Sequence, residues 1–161
     1  MTQKLNIPVV LIVAAMAFLL SSCGNKNNIN PNIPYGTIRI DIDPNSSFYQ
    51  ELNTVGGWTY VNNGQPGVSI TGNSRGVIIY RYTESEFMAY DRMPPNYPND
   101  CCTGNGLCTR LVVGDYYPMV KDTCNGNLYM LVDGSLFKGN GQYPLIRYSA
   151  VYDGGLLHIY K

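Results

Sequence analysis

The chain has 161 residues with 11 basic and 11 acidic side chains, a formal net charge of zero, so it has no charge excess with which to grip nucleic acid. Charged residues are few, while 14 Tyr, 17 Gly and 10 Pro dominate, a composition that suits strands joined by tight turns and speaks for a largely β domain. A single histidine and five cysteines bound the metal chemistry open to it.

At the N-terminus, Lys4 precedes an apolar run from Ile7 to Leu20, followed by Ser21, Ser22 and Cys23, the layout of a secretory signal. A membrane-spanning helix needs roughly 18 or more consecutive apolar residues, and this run is shorter. Residues 1–22 therefore read as a processed signal peptide. The ending "LSSC" resembles a bacterial lipobox, which implies that Cys23 becomes the lipidated first residue of the mature chain. On that resemblance the protein is anchored by lipid to a membrane of the bacterial cell envelope, the outer membrane being the expected one. Losing Lys4 leaves ten basic against eleven acidic side chains. After Cys23, "GNKNNINPNIPYG" is almost free of apolar residues and has too little surface to bury, so residues 23–35 read as a flexible tether. Residues 36–161 are of single-domain size.

In the body, "TIRIDIDP" alternates Ile38, Ile40 and Ile42 with Arg39, Asp41 and Asp43, the period-two pattern of a strand with one buried face. Pro44 and Asn45 end it. "NSSFYQEL" predicts a single helical turn capped by Asn45 or Ser46. A strand over 58–61 precedes the turn cluster "NNGQPG". Residues 77–82 and 86–90 predict a hairpin about a turn at 83–85. Next comes "MPPNYPNDCCTGNGLC", residues 93–108, too long for a plain connection and so expected to carry a function or a staple. Strands resume over 109–113, about 117–121 and 128–132. A turn at Asp133-Gly134 follows, and strands over 145–152 and 156–160 flank Asp153-Gly154-Gly155. The sum is nine or ten short strands and no long helix, an all-β fold.

The succession "MAYDR", proline-rich loop, strand pair, "NGNLYML", "DGS", "GNG" and "YPLIRYSAVYDGGLLHIY" resembles the Rieske domain, including the lipid-anchored Rieske-like proteins of bacterial envelopes. The likeness covers most of residues 36–161 and is strongest where Gly126, Tyr129, Asp133-Gly134, Gly139 and Pro144-Leu145 fall at the family's offsets. It implies a Rieske-like antiparallel β-sandwich whose cluster-loop region, about 91–131, is degenerate. A Rieske [2Fe-2S] centre needs a Cys-x-His box and a Cys-x-x-His box in two facing loops. Aligned on Gly126, the second box has Asp122 in place of its cysteine and Asn125 in place of its histidine. After "AYDR", the first has Met93 and Pro95. With His158 the only histidine, and that in the final strand, two imidazole ligands are not available. The resemblance thus implies a domain without the family's cofactor. It also places Cys124 where respiratory Rieske proteins carry the extra cysteine of a disulfide that braces the two loops.

The body cysteines are Cys101, Cys102, Cys108 and Cys124, an even set in an exported chain, which favours disulfides. Joining the adjacent pair would strain the bridge. That leaves Cys124 with Cys101 or Cys102, and Cys108 with the other. Four thiolates on zinc or on an atypical iron-sulfur cluster are the competing use, but the spacing is adjacent, then five, then fifteen intervening residues, unlike the knuckles that bring four sulfurs together. No catalytic set is apparent. The carboxylates of Glu84, Glu86, Asp91, Asp100, Asp115, Asp122 and Asp133 read as solvated turn residues, and His158 as a solvated or half-buried strand residue. Tyr60, Tyr80, Tyr82, Tyr90, Tyr97, Tyr116 and Tyr117 make an aromatic platform for glycans or a partner protein only if several of their rings are exposed side by side. The function expected is a binding or structural role in an envelope complex, docking through the two former cluster loops. The alternative is redox or electron transfer through a metal site at Cys101, Cys102, Cys108 and Cys124.

Overall fold

The computed structural model describes residues 30–161, so the signal segment and Cys23 lie outside the described residues. Ten strands account for most of the regular structure: β1 (Ile38–Ile42), β2 (Trp58–Val61), β3 (Val68–Ile70), β4 (Val77–Arg81), β5 (Phe87–Asp91), β6 (Met119–Lys121), β7 (Leu128–Met130), β8 (Leu136–Lys138), β9 (Arg147–Tyr152) and β10 (Leu157–Tyr160). The fold is all-β. A seven-stranded sheet runs β2-β4-β5-β9-β10-β1-β3 and a three-stranded sheet runs β6-β7-β8, every pairing antiparallel.

Strand alternation builds two cores that share β4 and β5. Ile38, Ile40 and Ile42 of β1 turn one face inward and meet Val77 and Ile79 of β4, Ala89 of β5 and Ile159 of β10. The other face of the β4–β5 hairpin supplies Ile78 and Tyr90 to a second cluster with Leu111, Val120, Tyr129 and Leu131. A strand buried on both faces reads as a continuous apolar run, which is what "VIIY" is. The small sheet is thereby fixed against the back of the large one.

The hairpin, β1, β2, β7 and the last two strands form where the sequence pattern puts them. Residues 109–113 do not form a regular strand. Their backbone bonds are divided among three neighbours: Thr109 N donates to Cys101 O, Leu111 N to Arg92 O, and Val112 exchanges bonds with Lys121. Leu111 and Val113 are nevertheless buried, as the alternation requires. The short strands β3 and β8 were not legible as strands, because three residues set among Pro and Gly carry no period of their own and are held by their partners β1 and β7.

The helical turn over 47–52 is a 3-10 turn that drops Tyr49 and Leu52 into the first core. Ser46 stands at its N-cap without a side-chain capping bond, contrary to the expectation from sequence. Its hydroxyl donates backward to Asp43 O at 2.9 Å, while Asn45 is engaged by Arg81 and Tyr152. Within the segment composition assigned to a tether, residues 30–35 are fastened to the body. Asn30 and Asn32 donate to Pro95 O, Tyr35 N donates to Asn73 Oδ1, and Lys161 Nζ donates to Pro34 O. No helix among the described residues is long and apolar enough to cross a membrane.

Candidate functional site: two loops joined by a disulfide

The chain leaving β5 and the β6–β7 connection meet at one end of the small sheet, and the cysteines join them. Cys101 is bonded to Cys124 with the Cα atoms 5.8 Å apart, and Cys102 to Cys108. Of the two arrangements that spacing left open, local backbone chemistry selects this one. Thr103 N donates to Leu107 O and Gly106 N to Thr103 O, closing a miniature hairpin that sets Cys102 opposite Cys108. Cys101 is then free to reach across to the other loop.

The four positions that the resemblance matched to cluster ligands each have structural contacts, and one of them, Asn125, reaches the opposite loop. Met93 is buried among the first core, and its N–H donates to Asp91 Oδ1 at 2.6 Å. Pro95 is buried too, and its carbonyl receives the amides of Asn30 and Asn32. Asp122 is fully buried. One of its oxygens accepts from the backbone N–H groups of Cys124 and Asn125, and the other from the Asn125 side-chain amide at 3.2 Å. That amide also reaches across to Asn96 O at 3.4 Å, so the loops touch through hydrogen bonds as well as sulfur.

Below this contact lies a buried polar framework. The amide of Asn96 donates to the Tyr129 hydroxyl and to Tyr143 O, and its oxygen accepts from Gln142 N and Tyr143 N, using both ends of the side chain. Arg75 spans the proline-rich loop, donating to Thr109 O and Pro98 O at 2.7 Å each. Burial lowers its pKa, while the charges of Asp91 and Asp122 work in the opposite sense. Asp91 takes the Tyr148 hydroxyl at 2.6 Å in addition to the Met93 N–H. Burial first, and then the neighbouring Asp91 carboxylate, push the Tyr148 phenol far up.

Asp91 and Asp122 are thus corrections to the reading of solvated turns: both have no exposed surface. Glu84, Glu86, Asp100, Asp115 and Asp133 are exposed as turn residues should be. His158 lies half-buried in β10, with Asp41 Oδ1 2.7 Å from one ring nitrogen and Asp153 Oδ2 3.3 Å from the other. The seven tyrosines do not share one surface. Tyr90 is fully buried, its phenol pushed up to about 12 by that burial, and Tyr60, Tyr80 and Tyr116 are only partly exposed. Among the described residues no group of three or more His, Cys, Asp or Glu converges as a metal site. All four body sulfurs are taken up in the two disulfides.

Two large apolar side chains stand exposed at this end, among exposed polar residues such as Asn99, Asp100, Thr103, Asn105 and Thr123. Tyr97 is 63% exposed and Leu107 72% exposed. Tyr97 is also the one non-glycine residue among those described with a positive φ, 51°, a conformation that an aromatic side chain adopts at a cost of about 1 kcal/mol or more. Sequence reasoning named Tyr97 only as one of many tyrosines and missed Arg75, Asn96 and Tyr148. Asn96, set among prolines, gave no sign that it would be buried, and no pattern singled out Arg75 or Tyr148. No protein-family model matches the chain, and no curated protein matches it.

Proposed function

We propose that this is a lipid-anchored envelope protein whose Rieske-like domain carries no cluster and serves as a docking module, the disulfide-joined loops being its contact surface for a partner protein. The observation that carries the reading is Tyr97. An exposed aromatic ring is held in a strained backbone conformation on a loop that a disulfide, Arg75 and Asn96 all brace, and strain of that kind persists where surrounding structure over-determines it, most often at functional positions. Rigid, exposed aromatic and aliphatic side chains are also the usual anchors of protein interfaces. The four would-be ligand positions support the cluster-free part, since Met93, Pro95, Asp122 and Asn125 each have a structural task. Anchoring at Cys23 rests on its lipobox-like setting.

The test is purification of the membrane-extracted chain without oxygen, followed by metal analysis, a visible spectrum and mass spectrometry with and without reductant. A colourless protein with sub-stoichiometric iron and zinc, a mass gain of four hydrogens on reduction and an acyl group on Cys23 is the expected result. Stoichiometric iron with a red-brown spectrum would replace docking with electron transfer at the four cysteines.

A further inference from the structure

Away from the cysteine loops, an open trough of about 660 Å³ runs beside β2, within the size range of small-ligand sites. Its walls carry the rings of Trp58, Tyr60 and Tyr117, with Glu51, Thr54 and Gly56 around them. Trp58 and Tyr60 come from β2, and Tyr117 from the segment just before β6. Trp58 and Tyr60 stand edge to face with centroids 5.0 Å apart. Tyr60 is held at both ends: its hydroxyl accepts the N–H of Val113 at 2.7 Å, and the Arg92 guanidinium lies 3.8 Å from its ring centre. Tyr117 closes the trough over Gly56, where a Cβ would come 3.1 Å from the phenol oxygen and where φ is +86°. A side chain at this position would be strained by the positive φ and would push the Tyr117 phenol by a few tenths of an ångström.

The lining chooses among ligand classes. Glu51 is its one formally charged group, and no cation faces the trough, so an anionic ligand meets repulsion without a partner. An acyl chain needs an enclosed apolar cavity, whereas this trough is open and counts Thr54, Thr59 and Tyr117 among its lining residues. A peptide adding itself to the free edge of β2 meets the 3-10 turn Ser47–Leu52, which packs against that strand. A flat ring with an apolar C–H face and a rim of hydroxyls suits what remains. Its face lies on aromatic rings, and its rim meets a carboxylate acceptor and phenol and threonine hydroxyls. We propose that the trough binds a short uncharged oligosaccharide, with pyranose faces stacked on Trp58 and Tyr117 and ring hydroxyls bonded by Glu51. This site is separate from the docking loops, and neither reading depends on the other.

Trp58 is the sole tryptophan of the chain, so its emission reports on the trough alone. The probes are cellohexaose, maltohexaose and chitohexaose at millimolar concentration, with a galacturonate oligomer and an uncharged Thr-Val octapeptide beside them. A saturable change in Trp58 emission with at least one neutral sugar is expected. Tyr117→Ala, at an exposed position, should weaken that sugar by about tenfold, the equivalent of one aromatic contact. Glu51→Gln should weaken it less and serves as the second variant if Tyr117→Ala fails to fold by circular dichroism. Silence with all three neutral sugars overturns the proposal. So does a response confined to the acidic oligomer or to the peptide, or a neutral sugar that binds equally well after a substitution that leaves the fold intact.

Discussion

Tyr148 and Asp91 face each other inside the protein, a phenol donating to a carboxylate at 2.6 Å where neither is wet. In Tyr148→Phe the ring still fills its place, but a buried carboxylate oxygen loses its donor. The expected loss is about 2 kcal/mol of unfolding free energy, read from urea denaturation. A change under about 0.5 kcal/mol would mean that water or another group takes over the bond. His158 offers a pH-dependent counterpart at the surface. Its pKa is raised by its bonds to Asp41 first and Asp153 second. Asp41 is lowered chiefly by His158 and then Arg39, and Asp153 is lowered to about 2, mainly by the backbone N–H groups of Leu156 and Gly155. The raised histidine contributes stability that is complete below its unfolded pKa near 6.5 and is lost as pH rises through the folded value. The depressed aspartates contribute above about pH 4, and that contribution disappears as acid titrates them. Stability from this trio therefore peaks between about pH 4 and 6.5. His158→Gln should flatten the alkaline limb of a stability-versus-pH curve, and an unchanged limb would discount the trio.

At the scale of elements, the two disulfides differ in reach. Cys101–Cys124 spans 23 positions and ties two loops, whereas Cys102–Cys108 spans 6 within one. In the chain-entropy model the first is worth about 3 kcal/mol and the second about 2. Serine replacement of Cys101 and Cys124 together should therefore lower stability more than replacement of Cys102 and Cys108. It should also increase protease cutting at Tyr97 and in the 122–127 loop, seen by mass mapping of the fragments. Equal cutting in both double variants would show that hydrogen bonds alone hold the loops together. Strands were legible from sequence to the extent that they carried their own period. β1 declares itself because one of its faces is wet, and β4 because both of its faces are dry. β3 and β8 have only three residues each, too few to show a period, and owe their conformation to their partners, the distant β1 for β3 and, across the Asp133-Gly134 turn, β7 for β8.

For the molecule as a whole, the same limit governs the site. Length and composition marked residues 93–108 as a loop with a function or a staple, and the cysteine count pointed to disulfides as the staple. Burial of Asp91, Asn96 and Asp122 was hidden, because the residue types that favour turns are also those that fill a buried polar framework, and only packing of the small sheet on the large one separates the two cases. The aromatic trough was hidden likewise: Trp58 and Tyr117 are far apart in the chain and meet only once β2 is in place.

The strand order has a further consequence in time. β1 is flanked by β3 on one side and by β10, the last strand described, on the other, with Ile40 opposite Ile159. A chain emerging from its N-terminal end can pair β1 with β3 early, yet must leave the other edge of β1 and its row of isoleucines unpaired until β10 arrives. Closure of the large sheet is therefore a late event set by the most distant contacts in the sequence, and until then β1 is an open, sticky edge.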